Sequence, residues 1–305
     1  LITGVAGFLG ARLARRMVQD GWEVVGLDLV PREYARRLEG AELEYRWGSC
    51  QDLHHLNAPY VIHCASQGDV PLAFTAPTFT LTQNVLGTAA LLEAARRYDG
   101  LERLVVQSSE EVYGYSNSLP LKEDTPLNPT NLYGASKMAQ EALARAYHNA
   151  FHVPITVIRS STIIGEGMRR TQVIPIFLAQ ALRGEPLTIH GDGNQTRDFN
   201  PVDNHVDALV AALTNRKAIG QVINVGSGEE RSVCEVAAKC LGVTASASKL
   251  KFLPQRPGEQ GLRVVLDITR ARELLNYTPE ISFEEELERM CTWLAKEPSA
   301  AVAVR

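Results

Sequence analysis

Several features that define specialised protein classes are missing from this sequence. It has no block of basic residues, and its 305 residues carry a formal net charge of −4. A nucleic-acid partner would require a positive surface, so we expect none. The longest apolar runs, such as Ala208–Leu213, are far shorter than the roughly 20 residues of a membrane-spanning helix. We therefore expect no membrane segment either.

Cysteine is scarce, and the five cysteines show no C-x-x-C spacing. An odd number of cysteines indicates reduced thiols, which suggests a cytoplasmic protein. His148 and His152 are one helical turn apart, but no third ligand accompanies them, so we predict no metal site. The chain begins at Leu1 within a strand-like segment and not at a methionine. We expect a few residues to precede it and see no signal peptide.

The first motif present is a glycine loop that opens a helix. Leu1-Ile2-Thr3 has the character of the end of a buried strand, and Gly4, Gly7 and Gly10 follow with G-x-x-G-x-x-G spacing before a helix at Ala11–Gln19. Glycines at these positions let the backbone turn tightly and approach a pyrophosphate at the helix N-terminus. The predicted strand Trp22–Asp28 ends in a carboxylate that can accept both ribose hydroxyls and would repel a 2′-phosphate. These features predict NAD binding and disfavour NADP.

Strands and long helices continue to alternate along the chain. This alternation is typical of a parallel sheet with helices on both faces. Ligand-facing loops are predicted at Arg169–Pro186 and Ala245–Gly261, which contain more Pro, Gly and Arg. The predicted strands are Leu43–Trp47, Tyr60–Cys64, Leu101–Ser108, Ile155–Arg159 and Gln221–Gly226, and the predicted helices are Asn84–Tyr98, Asn131–Phe151 and Val202–Leu213.

Tyr133 and Lys137 are spaced for proton chemistry. They are four residues apart on one predicted helix and therefore share a helical face. A tyrosine with a pKa of about 10 is a poor base, but a nearby ammonium and a positive nicotinamide would lower that pKa. Ser109 ends a strand of the same predicted sheet, at the edge where ligands bind in such folds.

These motifs resemble the extended short-chain dehydrogenases/reductases of the NAD-dependent nucleotide-sugar epimerase/dehydratase family, over essentially the whole chain. The matching segments, besides the glycine loop and Tyr133/Lys137, are Val61–Ser66, Asn84–Thr88, Ser108-Ser109, Val112–Gly114, Arg197–Phe199 and Arg256–Glu259. The resemblance implies an α/β protein with a Rossmann-type doubly wound parallel sheet and a smaller C-terminal substrate-binding domain. The implied NAD-binding domain is 1–165, with 199–226 rejoining the sheet, and the substrate-binding domain comprises 166–198 and 227–305.

The resemblance also implies residue roles. Ser109 would polarise a sugar hydroxyl, Tyr133 would remove its proton, and Lys137 would contact the nicotinamide ribose. The implied NAD-binding residues are Gly4, Gly7, Phe8, Leu9, Gly10, Asp28, Leu29, Ser49, Cys50, Cys64, Ala65, Ser66, Asn84, Tyr133 and Lys137. The implied substrate-binding residues are Thr162, Gln172, Val173, Arg197, Arg256 and Glu259, with the two arginines on the nucleotide diphosphate and Glu259 on the nucleotide ribose.

Glu110 and Glu111 indicate the reaction. Dehydratases of this family carry acids after the catalytic serine, whereas 4-epimerases usually carry small or neutral residues there. Once sugar C4 is a ketone, Glu111 could remove the C5 proton and Glu110 could protonate the departing C6 hydroxyl. We therefore favour a nucleotide-sugar dehydratase, a lyase, whose product is a 4-keto-6-deoxy sugar or a 5,6-alkene. The second product is that of enzymes resembling UDP-N-acetylglucosamine 5,6-dehydratase. The alternatives are a 4-epimerase and, more remotely, a non-catalytic NAD-binding regulator.

Some positions depart from the family pattern. Gly48-Ser49-Cys50 replaces the usual Gly-Asp-hydrophobic contact with adenine, and Thr162 replaces an asparagine whose loss Gln172 could compensate. These changes suggest an unusual pose of the sugar in the site. The first candidate substrate is UDP-N-acetylglucosamine. The apolar helices Asn84–Tyr98 and Asn131–Phe151 would form a four-helix interface in a homodimer, as the resemblance implies.

Overall fold

A parallel sheet forms the centre of the computed structural model, which describes residues 1–116, 118–255 and 263–296. Within these ranges the strands are β1 Ile2–Thr3, β2 Val25–Asp28, β3 Glu44–Trp47, β4 Tyr60–His63, β5 Arg103–Ser109, β6 Ile155–Ser160, β7 Thr162–Ile164, β8 Leu187–His190, β9 Thr196–Arg197, β10 Phe199–Pro201, β11 Val222–Val225, β12 Arg231–Ser232 and β13 Leu250–Leu253. The main sheet has the order β11-β6-β5-β4-β1-β2-β3, and every neighbouring pair in it is parallel. The predicted fold class is confirmed.

Helices surround this sheet. The α-helices of the described residues are α1 Phe8–Gln19, α2 Val70–Thr75, α3 Pro77–Leu81, α4 Gly87–Arg96, α5 Leu132–Phe151, α6 Val173–Leu182, α7 Val202–Thr214, α8 Val233–Val243, α9 Thr269–Leu275 and α10 Phe283–Lys296. None of them is long and apolar enough to cross a membrane. No cluster of three or more metal-ligating side chains occurs in the part of the chain that the structure describes.

Both faces of the sheet are buried because alternate strand residues enter different cores. Val105 and Ile62 belong to one core together with α1 and α7 residues. Leu104 and Val106, which flank Val105 in β5, belong to the other core together with α4 residues. Strands buried on both sides have nearly continuous apolar sequences, which is why β5 could be recognised from its sequence.

A third core lies in the C-terminal half. It joins residues of α6, α8 and α10 with Ile189 of β8 and Phe199 of β10. Phe199 also contacts the Phe283 ring at a centroid distance of 5.7 Å. Phe8, the first residue of α1, packs against both this core and the core beneath the sheet. The start of α1 is therefore a point where the two halves of the molecule meet.

One loop prediction is wrong and another is wrong in part. Most of Arg169–Pro186 is the helix α6, because Ile174, Phe177 and Leu178 recur at helical spacing and are buried. Ala245–Gly261 contains the strand β13, which pairs in parallel with β8, and residues 256–261 of this segment lie outside the described residues. The predicted helix Asn84–Tyr98 is also different, since a π-helical turn at Thr82–Leu86 precedes α4.

Candidate active site

The glycine loop follows β1 and leads directly into α1. Gly4 has φ +70, and a Cβ on Gly10 would lie 2.1 Å from the Gly4 carbonyl oxygen. Both positions therefore require glycine. The helix begins after Gly7 with no side-chain cap. The backbone N–H groups of its first turn, which include those of Phe8 and Leu9, remain available to an anion such as a pyrophosphate.

The residues expected to bind the adenosine part of NAD lie at the exits of β2 and β3. Asp28 Oδ2 accepts a hydrogen bond from the Ala6 N–H at 2.8 Å, which ties the carboxylate to the glycine loop. Leu29, which follows it, is exposed. Ser49 caps the short turn at the end of β3, and the Cys50 thiol beside it lies near enough to Thr3 for that side chain to act on its pKa. The carboxylate keeps lone pairs for ribose hydroxyls.

The exit of β4 connects to the helix that carries Tyr133. Cys64 N–H donates to the Thr3 carbonyl oxygen at 3.1 Å and Ala65 N–H donates to Thr3 Oγ1 at 3.2 Å, while Ser66 Oγ donates to Asn84 Oδ1 at 3.1 Å. Asn84 is fully buried in the π-helical turn. Its Nδ2 donates to Ser136 Oγ at 2.8 Å, and Ser136 Oγ donates to the Tyr133 carbonyl oxygen at 2.7 Å.

Ser109, Tyr133 and Lys137 lie together at the exit of β5. The Ser109 side chain lies near enough to the Tyr133 phenol to act on its pKa. Lys137 Nζ lies 5.8 Å from the centre of the Tyr133 ring and donates to the Gln107 carbonyl oxygen at 2.9 Å. Burial lowers the pKa of Lys137 to about 8. The side chains expected to act on a sugar hydroxyl therefore lie close together.

The expectation that the pKa of Tyr133 is lowered is wrong for the protein on its own. Burial raises the pKa of Tyr133 to about 12, and the carboxylates of Glu111 and Glu110 contribute in the same direction. The hydrogen bond from Ser109 and the charge of Arg169 oppose this shift. The positive charge that would favour a phenolate is therefore not supplied by Lys137 alone.

Glu110 is the most perturbed acid of the site. It is 6% exposed, its Oε1 accepts a hydrogen bond from Thr162 Oγ1 at 2.9 Å, and its Oε2 has no partner among the described residues. Burial raises the pKa of Glu110 well above its usual range, and the neighbouring carboxylates of Glu111 and Asp198 add to the effect. These shifts favour the protonated form of Glu110, as the role of a proton donor requires.

Glu111 has different surroundings from Glu110. It is only partly buried, and its Oε2 accepts a hydrogen bond from Asn131 Nδ2 at 2.7 Å. The sequence reasoning missed Asn131, which also caps α5 by accepting a hydrogen bond from Gly134 N–H at 2.8 Å. A signal was present, because an asparagine three residues before a glycine at a helix start is typical of an N-cap.

Only some of the predicted substrate-binding residues lie near Glu110. Thr162 contacts Glu110, and the charge of Arg197 acts on Glu110. Gln172 directly precedes α6, and Val173 is the first residue of that helix. Arg256 and Glu259 lie outside the described residues. Asp198, beside Arg197, is structural: it is fully buried and its Oδ1 accepts hydrogen bonds from the N–H and hydroxyl of Ser227.

These groups fit a dinucleotide. Uncapped N–H groups at α1 suit a pyrophosphate, Asp28 suits a ribose, and the buried Lys137 lies at the far end of the groove beside Tyr133. A glycine loop after the first strand and a Ser–Tyr–Lys set at the sheet's carboxyl edge together define a short-chain dehydrogenase/reductase.

Comparisons with known proteins specify the family. Residues 1–226 match the model of the NAD dependent epimerase/dehydratase family. A UDP-glucose 4-epimerase of Mycolicibacterium smegmatis is 35% identical over 303 residues, which cover 95% of this chain and 96% of that protein. The chain belongs to the NAD-dependent epimerase/dehydratase family of extended short-chain dehydrogenases/reductases, and its cofactor is NAD.

Solved structures agree with this assignment. The UDP-glucose 4-epimerase of Thermotoga maritima, with UDP-glucose, has a TM-score of 0.90 at 26% identity and covers 97% of this chain and 98% of its own. DesIV, a dTDP-glucose 4,6-dehydratase of Streptomyces venezuelae with NAD bound, has a TM-score of 0.88 at 27% identity and covers 97% and 96%. Relatives of this chain thus include both epimerases and dehydratases of nucleotide sugars.

Proposed function

We propose that this protein is an NAD-dependent dehydratase that eliminates water across C5–C6 of a nucleotide-activated hexose, with UDP-N-acetylglucosamine as the first candidate. The observation that carries the proposal is the pair Glu110/Glu111. One member is buried with a raised pKa and an unpartnered oxygen, and the other accepts a hydrogen bond from Asn131. Adjacent carboxyls in different environments are suited to act as one acid and one base.

The first step would use Ser109 and Tyr133. The Ser109 hydroxyl, which lies near the Tyr133 phenol, would orient the C4 hydroxyl, and Tyr133 would take the proton from that hydroxyl. When bound, oxidised NAD accepts the hydride from C4 and brings a positively charged ring that favours the phenolate. Lys137 uses one donor on the Gln107 carbonyl oxygen and has others for a ribose hydroxyl.

The second step would use the two glutamates. A ketone at C4 acidifies the C5 proton, which the Glu111 carboxylate would remove, and the electrons of that C–H bond would form the C5–C6 double bond. Glu110 would give its proton to the C6 hydroxyl, which would leave as water. If the hydride then returned to C6, Glu111 would give its proton back to C5 and the product would be a 4-keto-6-deoxy sugar. If it returned to C4, Tyr133 would give its proton back to the C4 oxygen and the product would be a 5,6-alkene.

The test is mass spectrometry of the products from NAD and a panel of nucleotide hexoses, with UDP-N-acetylglucosamine and UDP-glucose first. We expect a product lighter by one water, and a loss of its formation by a factor of about 10² or more in Glu110→Gln and in Glu111→Gln. Glu102→Gln is the matched control, since Glu102 is an exposed carboxylate just before β5 and should leave the rate unchanged.

A 4-epimerase is the second candidate, because the relative described above that is 35% identical is a UDP-glucose 4-epimerase. Epimerisation would need Ser109, Tyr133 and Lys137 but neither glutamate. A product of unchanged mass with inverted C4, formed equally well by Glu110→Gln and Glu111→Gln, would refute the dehydratase proposal.

We also propose that two copies of the chain form a homodimer. α4 and α5 pack together on one face of the sheet. Large apolar side chains remain exposed on α5, on α2 and α3, and on the π-helical turn Thr82–Leu86, namely Phe74, Phe79, Leu86 and Phe151. Exposed apolar groups concentrated on neighbouring helices support an interface with a second copy.

A further inference from the structure

The segment Gly165–Arg170, here called the clasp, connects β7 to α6 and is held from two sides by arginines. From the first side, Arg37 donates to the Gly167 carbonyl oxygen with both Nε, at 3.1 Å, and Nη2, at 2.9 Å. Arg37 lies in the short helical turn Arg36–Leu38. The backbone of that turn is itself fixed to α1, because Arg15 Nε donates to the Arg37 carbonyl oxygen at 2.9 Å.

On the second side, Arg169 of the clasp contacts the loop that follows β4 in the NAD-binding half. Arg169 Nη2 donates to the Gly68 carbonyl oxygen at 2.6 Å, and its Nη1 lies 3.1 Å from Asp69 Oδ2. Arg37 thus lies outside the clasp and donates to its backbone, whereas Arg169 belongs to the clasp and donates to residues outside it. Bonds of a guanidinium to a carbonyl and a carboxylate are stronger than neutral ones.

The two attachment points lie on either side of the glycine loop. Arg37 belongs to the connection after β2, and Gly68 and Asp69 belong to the connection after β4. β1 lies between β2 and β4 in the sheet, and the glycine loop leaves β1. A Cβ on Gly167 would lie 4.0 Å from the Phe8 ring at the start of α1. The clasp therefore crosses the groove next to the expected pyrophosphate position.

The other end of the clasp is fixed to the C-terminal half. Met168 is 3% exposed and belongs to the third core. The Arg170 guanidinium lies over the Trp293 ring of α10, 5.2 Å from its centre. Opening the clasp thus means breaking its contacts to the NAD-binding half while it stays attached to the C-terminal half.

We propose that the clasp closes over bound NAD and that Arg37 and Arg169 control how fast the cofactor enters and leaves. Neither side chain has to touch the dinucleotide for this role, because each acts by holding the clasp. The inference concerns the cofactor only. It holds whether the enzyme proves to be a dehydratase or an epimerase, so its failure and that of the proposed function are distinguishable.

A clasp has a kinetic signature that a direct cofactor contact lacks. If NAD passes only when the clasp is open, weakening the clasp raises the rates of binding and release by the same factor, and the dissociation constant changes little. Losing a direct contact raises the release rate and the dissociation constant together and leaves the binding rate unchanged.

The experiment measures both rates for the wild type, Arg37→Met and Arg169→Met. Release is followed by loading the protein with radiolabelled NAD and chasing with excess unlabelled NAD. Binding is followed by mixing cofactor-free protein with labelled NAD. We expect both rates to rise about tenfold in each variant, the effect of losing a charged hydrogen bond. Circular dichroism checks that the variants fold.

Arg36→Met is the matched control, since Arg36 is exposed on the same turn and its loss removes the same charge without touching the clasp. Its rates should equal those of the wild type. Three results would each overturn the proposal: unchanged rates in both test variants, faster release without faster binding, or an equal effect from Arg36→Met.

Discussion

At the scale of single residues, Glu110 shows what the sequence could not predict. Its place beside Ser109 was visible, and so was the possibility that two adjacent acids would have different pKa values. The contact with Thr162 was not visible, because these residues are far apart in sequence and meet only where β5 ends and β7 begins. Thr162 was expected to bind the substrate, and in the structure its hydroxyl donates to Glu110.

Removing the Thr162 hydroxyl should move the pH profile. Its hydrogen bond to Glu110 lowers the pKa of that acid, although burial still dominates. Thr162→Val should therefore raise the pKa of Glu110 further, and Glu110 should stay protonated to higher pH. We expect the alkaline limb of the dehydration profile to shift upwards by roughly one pH unit, measured as kcat/KM against pH.

Thr162→Ser keeps the hydroxyl and serves as the control, with an expected profile like that of the wild type. Coincident alkaline limbs for the valine variant and the wild type would mean that Glu110 is not the acid whose ionisation limits the reaction.

Tyr133 marks another limit of sequence reasoning. The four-residue spacing to Lys137 correctly predicted a shared helical face, because the period of a helix is a local property. The direction of the pKa shift in the protein without its cofactor could not be predicted from this spacing, because burial and the approach of Glu111 depend on the tertiary fold. Spacing identifies which groups meet, but not the dielectric environment in which they meet.

At the scale of elements, a buried ion pair joins the strands and the helix that carry the site. Arg159 of β6 donates to Glu141 of α5 from Nε at 2.9 Å and from Nη2 at 2.7 Å, and both side chains are nearly inaccessible. Arg159 Nη1 also donates to the Tyr113 hydroxyl at 2.9 Å, directly after the turn that holds Glu110 and Glu111. Ser108 Oγ donates to Glu141 Oε1 at 2.6 Å.

Breaking this pair should be far more damaging than removing it. Arg159→Met leaves the Glu141 carboxylate buried without its cation, and we expect the free energy of unfolding to fall by about 3–5 kcal/mol in urea titrations. The double variant Arg159→Met/Glu141→Met should lose less than Arg159→Met alone, because no charge is then left unpaired. Arg183→Met, which removes an exposed pair with Glu185, should have little effect.

A double variant less stable than Arg159→Met would contradict this account and would indicate that packing around the side chains matters more than their charge.

The elements themselves were predictable to different degrees. β4 and β5 were recognisable because they contain short continuous apolar runs, and α5 because its apolar residues recur with a helical period. α6 was missed, although Ile174, Phe177 and Leu178 have helical spacing, because the prolines, glycines and arginines around them dominated the local composition. β13 could not be recognised from its own residues, since its pairing with β8 is a long-range contact.

At the scale of the whole molecule, the proposed homodimer gives a direct prediction. In analytical ultracentrifugation the wild type should have a molecular mass twice the 33.5 kDa of one chain. Leu86→Glu should favour the monomer, because Leu86 is 55% exposed on the proposed interface and a carboxylate would be desolvated there. Trp47→Glu is the control, since Trp47 is more exposed still but lies on β3 at the sheet's edge.

A wild type that sediments as a single chain would refute the dimer, and equal dissociation of both variants would refute this location for the interface.

The return of the chain to its sheet has a consequence for biosynthesis. β11, which pairs with β6, is separated from it in sequence by residues that build much of the C-terminal half. While the protein is being translated, the outer edge of β6 stays unpaired until residue 225 has left the ribosome. An open strand edge is a template for pairing with other chains. We therefore expect β6 to be an additional site for wrong pairing during this interval, until β11 covers its edge.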